Sequence, residues 1–105
     1  MKLKAAFMFI APQANPNIDR TIVDTPNVEL TVVGVDNYIE AEKVAIELSE
    51  QGITSIELCA GFGIEGTAII NKAVNETKSS RYFFIHLIFV IPNLNNDIAN
   101  VNFFF

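Results

Sequence analysis

Residues 28–59 constrain this chain most: VELTVVGV, DN, YIEAEKVAIELSEQ, G, ITSIELC. Val28 to Val35 is dense in β-branched residues, which pack well on a pleated surface and predict a strand. Asp36-Asn37 follows, and Glu40 stands three residues after Asn37, the spacing of a capping box. From Tyr38 to Gln51, Ala41, Val44, Ala45 and Leu48 fall on one helical face. Glu40, Lys43, Glu47 and Glu50 fall on the other, so the segment predicts an amphipathic helix. Gly52 ends it in the left-handed conformation that glycine takes at C′. Ile53 to Cys59 then reads as a strand, because Ile56 and Leu58 share a face at a period of two. Strand, helix and strand joined this closely imply a parallel pair with a right-handed crossover.

The flanks extend the pattern. Leu3 to Ile10 is nearly continuous in apolar residues and predicts a first strand. Asn15-Pro16 has the form of a helix start, and Ile18, Ile22 and Val23 follow at helical spacing until Thr25-Pro26-Asn27 stops this first helix. Thr67 to Val74 predicts a third helix, Asn75 to Arg81 a polar turn, and Tyr82 to Ile91 a fourth strand. The expected fold class is α/β: a small three-layer sandwich on a mostly parallel four-stranded sheet. A flavodoxin-like order 2-1-3-4 is favoured over a ferredoxin-like α+β arrangement.

A chain of 105 residues suits one domain, taken as 1–92. Residues 93–105 then form either a hydrophobic C-terminal arm or a disordered or frameshifted tail. From Tyr82 to Phe105 lie six of the nine phenylalanines and five asparagines, with no Gly, Lys or Glu, and the end is Val-Asn-Phe-Phe-Phe. Three aromatics there call for a cover, and a homodimer whose tails pack across each other's subunits would supply it.

Twelve acids against seven bases give a net charge of −5, which excludes a basic surface for nucleic acid. One cysteine permits no intrachain disulfide, and with the single histidine it cannot make a zinc site. The opening MKLKAAFMFIAP reads as a strand and not a signal peptide, because its apolar run is closed at Pro12 with no small-residue cleavage site. The ten-residue run Tyr82–Ile91 is half of the roughly 20 needed to span a membrane. These features predict a soluble, cytoplasmic protein with no cofactor and no metal.

Gly61-Phe62-Gly63-Ile64-Glu65-Gly66 is a literal G-x-G-x-x-G between a strand and a helix. That places it at the C-terminal edge of the sheet, where open α/β folds bind ligands. The helix behind it would aim free N–H groups at an anion, and Thr67 would add a hydroxyl. A dinucleotide does not fit. The motif follows the third strand, no acid stands about 20 residues on to hold a ribose, and Glu65 would repel a pyrophosphate. Turn geometry and close helix–sheet packing explain the glycines more simply than a ligand does. Gln13 and Asn15, in the loop after the first strand, would supply neutral hydrogen bonds beside the glycines, or simply form a turn and a cap. Glu57 and Cys59 are the candidate catalytic residues. Alternation puts Ser55, Glu57 and Cys59 on one face, with Glu57 a candidate general base and Cys59 a thiol near a helix start that His86 could approach if the third and fourth strands are neighbours.

The opening strand ending Ile10-Ala11-Pro12, the stretch VELTVVGVDNYIEAEKVAIEL and the stretch GITSIELCAGFGIEG together resemble a family of small uncharacterised bacterial and archaeal proteins, a domain of unknown function. The resemblance covers about Lys2 to Ala73 and implies a small α/β domain without an assigned activity. The last stretch is also similar to a strand-to-loop junction of some (β/α)-barrel aldolases, but no catalytic lysine stands in it, so no reaction carries over. The function expected is a small binding or regulatory module with a polar or anionic metabolite site at Gln13, Asn15, Gly61, Phe62, Gly63, Glu65, Gly66 and Thr67. The alternatives are an enzyme using Glu57 as general base, and a structural subunit without a ligand.

Overall fold

A computed structural model describes residues 2–76, 84–94 and 97–104. Along the chain run β1 (Leu3–Ile10), β2 (Arg20–Asp24), β3 (Val28–Val35), α1 (Tyr38–Glu50), β4 (Ser55–Leu58), α2 (Gly63–Asn75), β5 (Phe84–Leu94) and β6 (Asp97–Phe104). A 3-10 turn at Ala60–Phe62 leads into α2. The expected strand start at Tyr82, most of the expected turn before it, and Phe105 lie outside the described residues, as do the side chains of His86, Phe103 and Phe104.

α1 forms where its pattern places it. The Asn37 side chain accepts from the Glu40 amide at 2.9 Å, and Glu40 Oε1 in turn accepts from the Asp36 amide at 2.8 Å. This is a capping box reaching one residue further back than usual. Gly52 follows at φ 92°, and the Ile53 amide closes on the Leu48 carbonyl at 3.1 Å. The buried stripe is Ala41, Val44, Ala45, Leu48 and Ser49.

The strands form one mixed sheet in the order β2-β3-β1-β4-β5-β6. β3, β1, β4 and β5 run parallel, and β2 and β6 pair antiparallel with β3 and β5. The class is therefore α/β, and the four strands that the sequence predicts, here β1, β3, β4 and β5, lie parallel in the order β3-β1-β4-β5, but the sheet is mixed because β2 and β6 are added to it. Its first four strands lie in the order β2-β3-β1-β4, which is mixed. The difference originates in residues 15–24, where the sequence predicts a helix. Asn15 starts only one turn: its Oδ1 accepts from the Asn17 amide, its carbonyl from those of Ile18 and Asp19, and its own amide donates to Asp19 Oδ2. The chain then straightens, because Thr21, Ile22 and Val23 are β-branched and the edge of β3 offers an unpaired ladder. Ile18 and Ile22, which mimic a helical stripe, are 75% and 55% exposed.

The layers differ too. Ala6, Met8, Val33, Val35, Ile56 and Leu58 point to one face of the sheet and share a single core with Leu48 of α1 and Ile70 of α2. The helices also pack on each other, so both cover the same face. Right-handed crossovers give the reason. β3-α1-β4 and β4-α2-β5 step across the sheet in the same direction, so their helices fall on the same side. Only β1 to β3 steps the other way, and that connection carries β2 instead of a helix. Among the described residues the fold has two layers, not three.

Arg20 fastens the edge strand to the helical layer. Its guanidinium donates to Glu47 at 2.9 and 3.4 Å and to the Pro16 carbonyl at 2.9 Å. The hydrogen bond from Arg20, with its charge, holds the Glu47 carboxyl below the usual glutamate range against a smaller effect of burial.

Two outcomes follow from this packing. Leu48→Ala, at a fully buried position, should cost about 2–5 kcal/mol in denaturant unfolding. Ile39→Ala, 69% exposed on the same helix, should stay within about 0.5 kcal/mol; equal losses would contradict the one-sided core. A depressed folded-state pKa gives stability that is present above the ordinary glutamate pKa, about 4.3, and is lost as pH falls through the lowered value. Because Glu47 is 44% exposed, the contribution should stay under about 1 kcal/mol. Glu47→Gln should flatten the acid limb of the stability profile below about pH 4.3 and leave the neutral limb's slope unchanged. An acid limb identical to that of the parent would remove the ion pair from the account.

Candidate functional site

The C-terminal ends of β3, β1 and β4 come side by side, since Ile10 pairs with Val35 and Met8 with Leu58. Three loops rise from them. After β1, the Ala11 amide continues the ladder to the Val35 carbonyl at 2.9 Å, and the Ala14 amide closes a turn on the Ala11 carbonyl at 3.1 Å. Gln13, inside that turn, is among the described residues the non-glycine one with positive φ, 66°. This conformation is uncommon for a residue with a long side chain. It is held by Asp36 at the end of β3, whose Oδ1 accepts from the Gln13 amide at 2.9 Å. Asp36 thus links the first loop to the α1 cap. In the sequence Asp36 stands only as a prelude to the helix; its position directly after a central strand is the signal that marks it.

The glycine loop is explained one residue at a time. The Cys59 amide extends the ladder to Met8, and the Phe62 amide closes the 3-10 turn on the Cys59 carbonyl. A Cβ on Gly61 would lie 2.9 Å from Ile10 Cγ2, so the turn rests directly on the end of β1. A Cβ on Gly66 would lie 2.8 Å from the Tyr38 ring. That ring stacks on Phe62 at 6.2 Å between centroids, and its hydroxyl donates to the Phe62 carbonyl at 2.8 Å. Tyr38 therefore clamps the start of α2 to the start of α1, a role the sequence did not reveal. Gly63 differs from the other two. Its backbone stands at φ 64°, ψ 178°, a region essentially confined to glycine, while nothing lies within 4 Å of where its Cβ would be. Its surroundings are open and only its backbone demands glycine.

The expected ligand residues divide by exposure. Gln13, Asn15, Gly61 and Glu65 are exposed, and Gly63 is half-exposed. Phe62, Gly66 and Thr67 are buried. The Thr67 hydroxyl donates to the Gly63 carbonyl at 2.8 Å, inside the helix. The Asn15 side chain is committed to its own turn. α2 begins at Gly63 with no side-chain cap, whereas α1 is capped by Asn37. Glu65 lies in the first turn of α2.

The two candidate catalytic residues do not share a side of the sheet. Glu57 pairs with Phe7 and with His86 in register and alternates away from Ile56 and Leu58, on the face opposite the helices. β4 ends at Leu58, and Cys59 packs against the core with Ile10 and Tyr38. Among the described residues no group of three or more His, Cys, Asp or Glu gathers as a metal site requires, and no helix is long and apolar enough to cross a membrane.

With the edge assembled, comparison with known proteins gives a family match. A model of a family of unknown function (DUF6506) matches residues 3–79. The chain belongs to this family. No curated protein and no solved structure matched it. The matched region runs from the first residue of β1 past the end of α2, so the family's shared region contains all three loops of the C-terminal edge.

Gly63→Ala should cost about 1–3 kcal/mol although space for the methyl is free, because the penalty is conformational. Denaturant unfolding reads it directly; a change within about 0.5 kcal/mol would show that the loop relaxes out of its glycine-only conformation.

Proposed function

We propose that this family member is a small binding module, not a catalyst, and that it takes a polar or anionic metabolite at the C-terminal edge of β1 and β4. The observation that carries this reading is the uncapped start of α2 opening onto free space at Gly63, at the strand edge where α/β sheets receive ligands. The first amides of a helix lack intrahelical partners and carry partial positive charge. The α1 start beside it meets that need with Asn37 and Glu40, while the α2 start has no such side chain. The Gln13 turn, fixed by Asp36, adds a rigid polar rim after β1. Catalysis by Glu57 with Cys59 is less well supported, because the carboxylate and the thiol sit on opposite sides of the sheet.

Glu65 supplies the test. It is exposed in the first turn of α2, so replacing it leaves the core intact. A thermal-shift screen of sugar phosphates, dicarboxylates and nucleosides should yield compounds that raise the melting temperature, since a ligand selective for the folded state stabilises it. For anionic hits, Glu65→Gln should strengthen binding several-fold by removing a like charge, while costing about 0.3–1 kcal/mol of stability through the lost helix-end interaction. A panel without hits, or anionic hits indifferent to Glu65→Gln, would overturn the reading.

A further inference from the structure

The sheet face turned away from α1 and α2 carries a second inference, independent of any metabolite. Alternation sends Phe7 and Phe9 of β1, Leu30 and Val32 of β3, and Val23 of β2 to this face. Phe7, Phe9, Leu30 and Val32 are only half-buried, and Val23 is 49% exposed. Glu57 is the one charged residue that β1 to β4 present here. The ion pairs Lys4–Glu29 and Arg20–Glu47 involve strand residues of the other parity. A pocket lined by Phe9, Asp19, Arg20, Thr21 and Val32 opens at one end of it. A Cβ on Gly34 would lie 2.5 Å from Phe9 Cζ, so the Phe9 ring lies across the neighbouring strand and fills the gap that glycine leaves.

Such a face is unusual for this kind of sheet. Parallel strands occur almost only where both faces are covered. β3, β1, β4 and β5 are parallel, and no described element covers their second face. The longest connection between described elements, 11–19, is held at the C-terminal edge of the sheet by the Ala11 and Gln13 amides.

We propose that this face is the interface of a homodimer in which two copies pack sheet against sheet. The area matches. Strands rise about 3.3 Å per residue and lie about 4.8 Å apart, so six strands averaging about seven residues present on the order of 700 Å². A standard specific interface takes roughly 800 Å² from each partner. Sheet faces pack about 10 Å apart with their inner side chains interdigitated, and a two-fold axis sets the same apolar patch against itself. The net charge of −5 disfavours the competing occupant, an anionic membrane surface.

The experiment is light scattering on the full chain without added ligand, over a range of concentrations. The expected mass is twice the chain's 11.6 kDa. Val32→Lys, a charge in the middle of the face, should give a monomer with an unchanged far-UV spectrum. Val23→Lys, at a position already 49% exposed and so tolerant in the folded monomer, should raise the dissociation constant by about tenfold or more. Ile64→Lys, 58% exposed on α2, should leave the dimer as it is. A parent chain that is monomeric throughout overturns the proposal, whether or not it binds lipid vesicles. So does a dimer unaffected by Val23→Lys and Val32→Lys, which would put the interface elsewhere. If Val32→Lys does not fold, Val23→Lys decides alone. The readings are separable: these masses are taken without ligand, and the thermal-shift result does not depend on them.

Discussion

The handedness of the β-α-β crossover governs this molecule. A right-twisted strand feeding a right-handed helix returns to its sheet in one sense only, so the direction of each step fixes the side on which its helix lies. Here both helical steps go the same way, from β3 over β1 to β4 and then on to β5. Leu48 and Ile70 meet over the same rows of side chains because they have no other place to go. The step that could have carried a helix to the other side, β1 to β3, carries none. It is spent on the Asn15 turn and β2. Everything asymmetric about the fold follows: a dense helical face tied by ion pairs and an opposite face of aromatic and branched side chains.

The same arithmetic concentrates loops at one end. Parallel strands with crossovers on one side bring the starts of α1 and α2 together above the ends of β1, β3 and β4. Each start must be satisfied, and the two do it differently. Asn37, Glu40 and Asp36 make a closed set of hydrogen bonds that also holds the Gln13 turn. The start of α2 is instead held by contacts: Gly61 on Ile10, Gly66 under Tyr38, and the Tyr38 hydroxyl on the Phe62 carbonyl. The glycine spacing that looks like a nucleotide fingerprint thus serves two packing contacts and one backbone conformation.

The central unit was legible because several independent signals agree there. The β-branched run, the Asn37 cap, the apolar stripe of α1 and Gly52 all demand the same local structure. Residues 15–24 misled because four-residue spacing of Ile18 and Ile22 is shared by helices and by chance. What separates the cases is long-range, the free edge of β3 and the fastening of Arg20 to Glu47. The pairing of Glu57 with Cys59 on one face failed for a simpler reason. Alternation holds only while the strand lasts, and β4 stops at Leu58. Tyr38 was invisible as a clamp because its partner, Phe62, lies 24 residues away.

β2 has a bearing on how copies of this chain can meet. It is five residues long and antiparallel, and it begins and ends with charges: Arg20 held by Glu47, and Asp24 bonded to Lys2. An open sheet border invites another chain to extend it, and brevity and fixed charge are the usual means of refusing. With this border blunted, strand addition that would string molecules into filaments is discouraged on that side. Contact through the broad side of the sheet, by contrast, stops once two copies have met. The strand that stands where a helix was expected therefore leaves one face of the sheet without a helix while making its neighbouring border a poor place to polymerise.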